Sequence, residues 1–223
     1  MKPLGLYHKL LRSFGLQGWW PARTQFEVAI GAILTQQTNW KSVETAIKEL
    51  RKRKLLTPNT LVRAKESTIE QCIHPTGFYK QKAKRLKNLA CEFPRIKKLS
   101  KTLTIPELRA ELLELDGVGK ETADSILLYA FNLPIFPIDT YTHRITERVY
   151  GFEEDYESLR SFYESQLPGD PQTLNEFHAL LVELAKRNCW KNTPHCSNCK
   201  IRKQCHYEKR SKQKAKQKTK QKQ

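Results

Sequence analysis

The stretch LDGVGKETAD, Leu115 to Asp124, decides how the rest of this chain is read. Gly117 and Gly119 flank Val118 between two helix-like segments, so a tight turn there brings backbone N–H groups to the surface. A helix beginning near Lys120 points its positive dipole end the same way, and the two together favour a phosphate. Glycine turns between helices are common, so the weight of this one comes from what surrounds it.

On either side the chain reads as helix almost throughout. FEVAIGAIL (26–34), SVETAIKEL (42–50), QKAKRLKNLACEF (81–93), ADSILLYAF (123–131), YTHRITERVY (141–150) and LNEFHALLVELAKR (174–187) repeat apolar residues every three or four positions. Breaks at LTPNT, HPTGF, NLPIFP and LPGDP separate them, and sustained period-two alternation is missing. The expectation is an all-α fold of about ten helices in two lobes. Residues 23–134 would form a six-helix lobe with the helix-hairpin-helix at about 108–131. Residues 1–22 and 135–205 would form the other lobe, reached through the hinge-like NLPIFPID. No repeat of solenoid length is visible.

A hydrophobic content of 39% supports a real core, while the net charge of +17 asks for a polyanion. The eight basic residues of Lys209–Gln223 carry nearly half of that charge, leaving +9 on the remainder, which favours nucleic acid over a membrane. Residues 206–223 form a basic, low-complexity tail with too few apolar groups to order itself, so disorder is expected there. The chain has no apolar run of membrane-spanning length, and its first residues lack the pattern of a secretory signal. A soluble, cytoplasmic protein is expected.

Cys189, Cys196, Cys199 and Cys205 follow the spacing C-x6-C-x2-C-x5-C. In a reducing compartment such a cluster asks for a metal, and four thiolates suit either zinc or a [4Fe-4S] cluster. Cys72 and Cys91 stand apart and read as small core hydrophobes. Asp139, in PIDTYTHRI, reads as an N-cap of the following helix, a role compatible with a chemical one.

Taken together, LDGVGKETAD, PIDTYTHRI and the cysteine loop resemble the helix-hairpin-helix DNA glycosylase superfamily, in its endonuclease III-like, iron-sulfur branch. The resemblance runs from about residue 23 to residue 205. It implies a two-lobed all-α fold and a hairpin of Gly117, Val118, Gly119 and Lys120 gripping the DNA backbone. It also implies Asp139 as the catalytic carboxylate, a [4Fe-4S] cluster on the four cysteines, and a monovalent cation at the hairpin carbonyls. The partner would be duplex DNA containing damaged bases, and the protein a monomer associated with the nucleoid.

Bifunctional members of that superfamily carry a nucleophilic lysine two residues after the G-V-G turn, where this chain has Glu121. Lys120, one position earlier on a helix, projects about 100° away around the axis. The departure favours a monofunctional enzyme that uses water. Mismatch-specific adenine glycosylases have an LQQT motif similar to LTQQT (34–38) here but need a glutamate where Ala32 stands. The chain is most similar to the endonuclease III-like 3-methyladenine DNA glycosylases, at WWPARTQFEVAIGAILTQQTNW (19–40), PTGFYKQKAKRL (75–86) and GVGKETADSIL (117–127). By that resemblance Trp20, Pro21 and Trp40 line the base pocket and Gln37 fills the gap left by a flipped nucleotide, with Trp19 reserved for packing.

Aromatic faces attract a cationic, alkylated base, so the residue types agree with the resemblance. Tyr141, His143 and Arg144 would support Asp139 or touch phosphate, and Lys186, Arg187, Lys191, Lys200, Arg202 and Lys203 would meet phosphate beside the cysteine loop. A mismatch thymine or uracil glycosylase, a bifunctional glycosylase/lyase, and a non-catalytic helix-hairpin-helix DNA-binding module remain as alternatives.

Overall fold

The computed structural model describes residues 1–211 and 213 and is helical, with no strand among them. The helices are α1 (Pro3–Phe14), α2 (Gln25–Leu34), α3 (Trp40–Lys52), α4 (Pro58–Arg63), α5 (Glu66–Ile73), α6 (Tyr79–Leu99), α7 (Ile105–Leu113), α8 (Lys120–Ser125), α9 (Thr140–Tyr150), α10 (Tyr156–Glu164) and α11 (Pro171–Arg187). A 3-10 turn, His74–Thr76, leads into α6, and a π-helical turn, Ile126–Ala130, extends α8. Local chemistry sets many of the starts. Thr24, Asn39, Thr57, Asp155 and Asp170 each accept a first-turn backbone N–H, and proline opens α1, α4 and α11.

The chain divides into two compact units, Met1–Trp19 with Phe136–Gln223, and Trp20–Ile135. In Trp20–Ile135 the organising element is α2, whose residues Phe26 through Leu34 are all buried. A helix apolar on every side must be surrounded, and α3, α6, α8 and the π turn all pack against it. In the other unit α11 takes that position, flanked by α1 and α9. Phe136 stacks on Tyr163 at 4.7 Å beside Phe177.

Two segments differ from the sequence reading. The third periodic stretch was expected to end at Phe93, yet α6 runs through Pro94 to Leu99. Proline removes one N–H and crowds the preceding turn, but Phe93 and Ile96 are buried on one stripe and hold the helix together across it. The tail expected to be disordered from residue 206 begins as helix over 206–211, where Glu208 is buried and accepts from Arg202 Nε at 2.7 Å. The rest of that tail, residue 213 excepted, lies outside the described residues. Among the described residues no helix is long and apolar enough to cross a membrane.

Candidate functional site

In the unit Trp20–Ile135, the turn between α7 and α8 is held from below by a fork. Arg109 donates from Nε and Nη2 to Asp124 Oδ1 and Oδ2 at 2.6 and 3.2 Å, and Asp124 is fully buried. Val118 is buried under the turn, while Gly119 and Lys120 are exposed. Gly119 is the N-cap of α8 and puts no side chain over the dipole end. A methyl built there meets nothing within 4 Å, so a phosphate has room to approach.

Gly117 is different: its φ is +78° and a Cβ would lie 2.1 Å from Arg85 Nε. Gly117→Ala is therefore expected to weaken duplex binding about 10-fold, the equivalent of roughly 1.4 kcal/mol. Anisotropy titrations over a range of salt concentrations check this, and an unchanged affinity would remove the hairpin from the grip.

Behind the turn lies a polar hub. Gln36 Nε2 donates to Gly117 O at 2.8 Å and to Thr122 Oγ1 at 3.0 Å, and Arg85 Nη1 donates to Gln36 Oε1 at 3.3 Å. Lys82, only 1% exposed, donates from Nζ to the carbonyls of Leu34, Gln36 and Thr76 at 2.9, 2.8 and 2.9 Å. Burial, and then the charge of Arg85, push its ammonium down to about 8; the three carbonyls act in the opposite sense.

Two residues beside these acceptors have left-handed backbones. Gln37 has φ 53°, and Phe78 has φ 47° with a ring that is 63% exposed. Gln37 was singled out from sequence, but Gln36, Lys82, Arg85 and Phe78 were not. Lys82 left a readable trace, because it falls on the apolar stripe of α6 with Leu86, Leu89 and Phe93.

Three aromatic residues meet within this unit. Trp20 lies edge-on to Trp40 at 5.2 Å and tilted against Tyr129 at 5.1 Å. Trp20, Pro21 and Trp40 line a pocket of about 140 Å³ together with Gly31, Glu27, Glu44, Lys48 and Arg51. Gly31 is required there by space, since a Cβ would sit 3.0 Å from the Trp20 indole. Glu27, buried to 3% exposure, is paired with Arg51, and Glu44 accepts from Trp40 Nε1 at 3.0 Å. Sequence reading named neither carboxylate. Trp19 falls in the other unit, where the Lys186 ammonium sits 5.2 Å above its ring.

In the unit of the chain ends, Asp139 is the N-cap of α9. Its Oδ1 accepts from Thr142 N at 2.6 Å, and the carboxylate remains 13% exposed. Its Oδ2 faces His178 Nε2 at 3.7 Å. Burial pushes the His178 imidazole down and Asp139 acts against that, so a neutral ring is favoured near pH 7. Further along α9, Arg144 Nε donates to Cys189 O at 2.8 Å, and Arg148 donates to the carbonyls of Trp190 and Lys191 at 2.7 and 2.6 Å. Arg144 thus anchors the cysteine loop.

Cys189, Cys196, Cys199 and Cys205 line one cavity with Val149, Leu184, Ile201 and Tyr207. Burial and the neighbouring cysteines raise Cys199 to about 11, with a backbone N–H opposing. Among the described residues no group of three or more His, Cys, Asp or Glu is arranged to hold a metal ion. Of the basic residues around the loop, Arg187 is paired with Glu183 and Arg202 with Glu208. Glu121 is exposed in the first turn of α8.

The chain matches the family model described as the HhH-GPD superfamily base excision DNA repair protein over residues 30–167. A Methanocaldococcus jannaschii protein named as a DNA repair glycosylase is 43% identical over 207 residues, 90% of this chain and 94% of its own length. Endonuclease III of Thermotoga maritima is 31% identical over 190 residues, 83% of this chain and 84% of its own. The structure of H. pylori 3-methyladenine DNA glycosylase bound to 1,N6-ethenoadenine superposes with a TM-score of 0.75 at 27% identity, covering 84% of this chain and 98% of that one. The hairpin, the capping aspartate and these similarities converge: the chain belongs to the HhH-GPD superfamily of base excision DNA repair proteins, and it is a DNA glycosylase.

Proposed function

We propose that the protein is a monofunctional glycosylase that hydrolyses the N-glycosidic bond of alkylated purines such as 3-methyladenine and 7-methylguanine in duplex DNA. The observation that carries this reading is the pocket of Trp20, Pro21 and Trp40, whose aromatic faces supply the attraction for a cation, the Glu27 and Glu44 carboxylates there being matched by Lys48 and Arg51. A base alkylated at N3 or N7 is cationic, and a desolvated aromatic face stabilises a cation by about 2 kcal/mol or more. The resemblance to a structure of a 3-methyladenine glycosylase supports the same substrate class.

In this reading the hairpin of Gly117, Val118, Gly119 and Lys120 holds the backbone, and Gln37 occupies the gap left by the extruded purine. Phe78, an exposed ring on a strained backbone, has the character of an apolar wedge between base steps. As the bond from C1′ to the base nitrogen lengthens, its electron pair leaves with the base and positive charge builds on the sugar. The Asp139 carboxylate stabilises that charge and takes a proton from the water whose oxygen bonds to C1′. A cationic leaving group needs little acid assistance, and Glu121 supplies no amine for a Schiff base, so the product is an abasic site on an intact strand.

The cysteine cavity supports a [4Fe-4S] reading. Its donors are four sulfurs around an apolar surface, a donor set that suits the cluster which the resemblance implies. The group would brace the loop that α9 already holds through Arg144 and Arg148. A monovalent cation at the hairpin carbonyls belongs to the same reading.

The test is a panel of duplexes carrying 3-methyladenine, 7-methylguanine, hypoxanthine, uracil, mismatched thymine or thymine glycol, each analysed with and without alkali. Release of alkylated purines, with breaks only after alkali, is expected. Direct strand cleavage with a borohydride-trapped adduct would overturn the monofunctional reading, and release of thymine or uracil alone would move the substrate class.

A further inference from the structure

We propose that Lys82 is a positioning residue that ties two turns together, so that Gln37 and Phe78 enter the duplex as one rigid pair. This rests on the roles given above to those two residues. The three donors of the ammonium are matched by three carbonyls, from the end of α2 (Leu34), the turn after it (Gln36) and the 3-10 turn before α6 (Thr76). Gln36 O immediately precedes Gln37, and Thr76 O lies two residues before Phe78. The Lys82 backbone N–H also donates to Phe78 O at 2.9 Å.

A lysine is an expensive way to fill a space on the apolar stripe of α6, where a methionine of similar length would carry no desolvation cost. What the ammonium adds is a fixed distance between two segments that local sequence does not connect. Of the four described non-glycine residues with positive φ, two are Gln37 and Phe78. Holding a non-glycine residue in that region costs backbone energy, and it persists only where surroundings over-determine it. Gln36 extends the same frame to the hairpin through Gly117 O, so the probe pair and the backbone grip share one set of hydrogen bonds.

The experiment compares single-turnover base release by the wild type and by Lys82→Met on two duplexes carrying the lesion that the panel above shows to be released fastest. In one the lesion lies opposite its normal partner, and in the other opposite a tetrahydrofuran abasic analogue, where extrusion is already easy. Lys82→Met should lose about 10-fold on the paired duplex and less than about 2-fold on the unpaired one, because only the first needs the pair to open the helix. Equal losses on both duplexes, or no loss on either, would overturn the proposal, since a general packing defect does not discriminate by the opposite residue.

If Lys82→Met does not fold, Gln37→Ala and Phe78→Ala, both at exposed positions, take its place. Their double variant should be no worse on the paired duplex than the poorer single, and additive losses overturn the proposal. If the wild type releases none of the panel bases, the functional reading fails. The inference is then read from 2-aminopurine beside an abasic analogue, which the wild type should unstack and Lys82→Met should not; equal unstacking by both proteins would overturn it.

Discussion

Asp139→Asn lowers single-turnover base release by about 100- to 1,000-fold while leaving duplex affinity and thermal stability nearly unchanged. The two expectations separate because the proposed mechanism gives Asp139 a second role besides its capping one. As N-cap of α9 it accepts from Thr142 N at 2.6 Å, and asparagine caps a helix about as well as aspartate. What asparagine cannot supply is the negative charge facing the sugar or the basicity to take a proton from water. Asp139→Ala adds the loss of the cap, about 1 kcal/mol, and so should lower the melting temperature as well. Base release assayed beside anisotropy binding and thermal unfolding checks all three. Unchanged turnover in the asparagine variant would reduce Asp139 to its capping role.

Cys199→Ser is expected to abolish iron binding and to destabilise the unit of the chain ends. The wild type should carry about four iron atoms per chain and the visible absorption of an iron-sulfur cluster. In the variant both should vanish, and stability should fall by more than the roughly 1–3 kcal/mol attached to burying one unpaired hydroxyl. The larger loss follows from the connections of the loop, whose backbone is bound by Arg144 and Arg148. Metal analysis with thermal unfolding tests this. A metal-free wild type whose stability matches that of the serine variant would leave the four cysteines as packing residues alone.

What could be read in the sequence depended on the distance over which each signal acts. The stretch from Phe26 to Leu34 announced a buried helix because its periodicity and its lack of charge on any face but that of Glu27 are local properties. The hairpin was equally legible, since positive φ at Gly117 and the Arg109–Asp124 fork lie within one short segment. The hub was not. Gln36 and Gln37 are the same residue type side by side, and only the contact with Gly117, 81 positions away, distinguishes the one that builds the frame from the one left exposed. The role of Arg144 stayed open between supporting Asp139, touching phosphate and serving structure for a similar reason, because its acceptor, Cys189 O, lies 45 positions further along. The carboxylates of Glu27 and Glu44 were passed over as ordinary helix charges until the pocket placed them beside two indoles.

The packing of α1 against α11 has a consequence for the order of events during synthesis. Leu6 and Leu10 are fully buried, and α11 is the main helix against which α1 packs, yet α11 begins only at Pro171. At about 5–20 residues per second, roughly 10–30 s separate the emergence of the two helices from the ribosome. Throughout that interval the apolar face of α1 is an unsatisfied, sticky segment of the growing chain, the kind of surface a holding chaperone recognises. Protease added to stalled chains should clip α1 until α11 is exposed and spare it afterwards. Protection of α1 before that point would mean that another segment shelters it first.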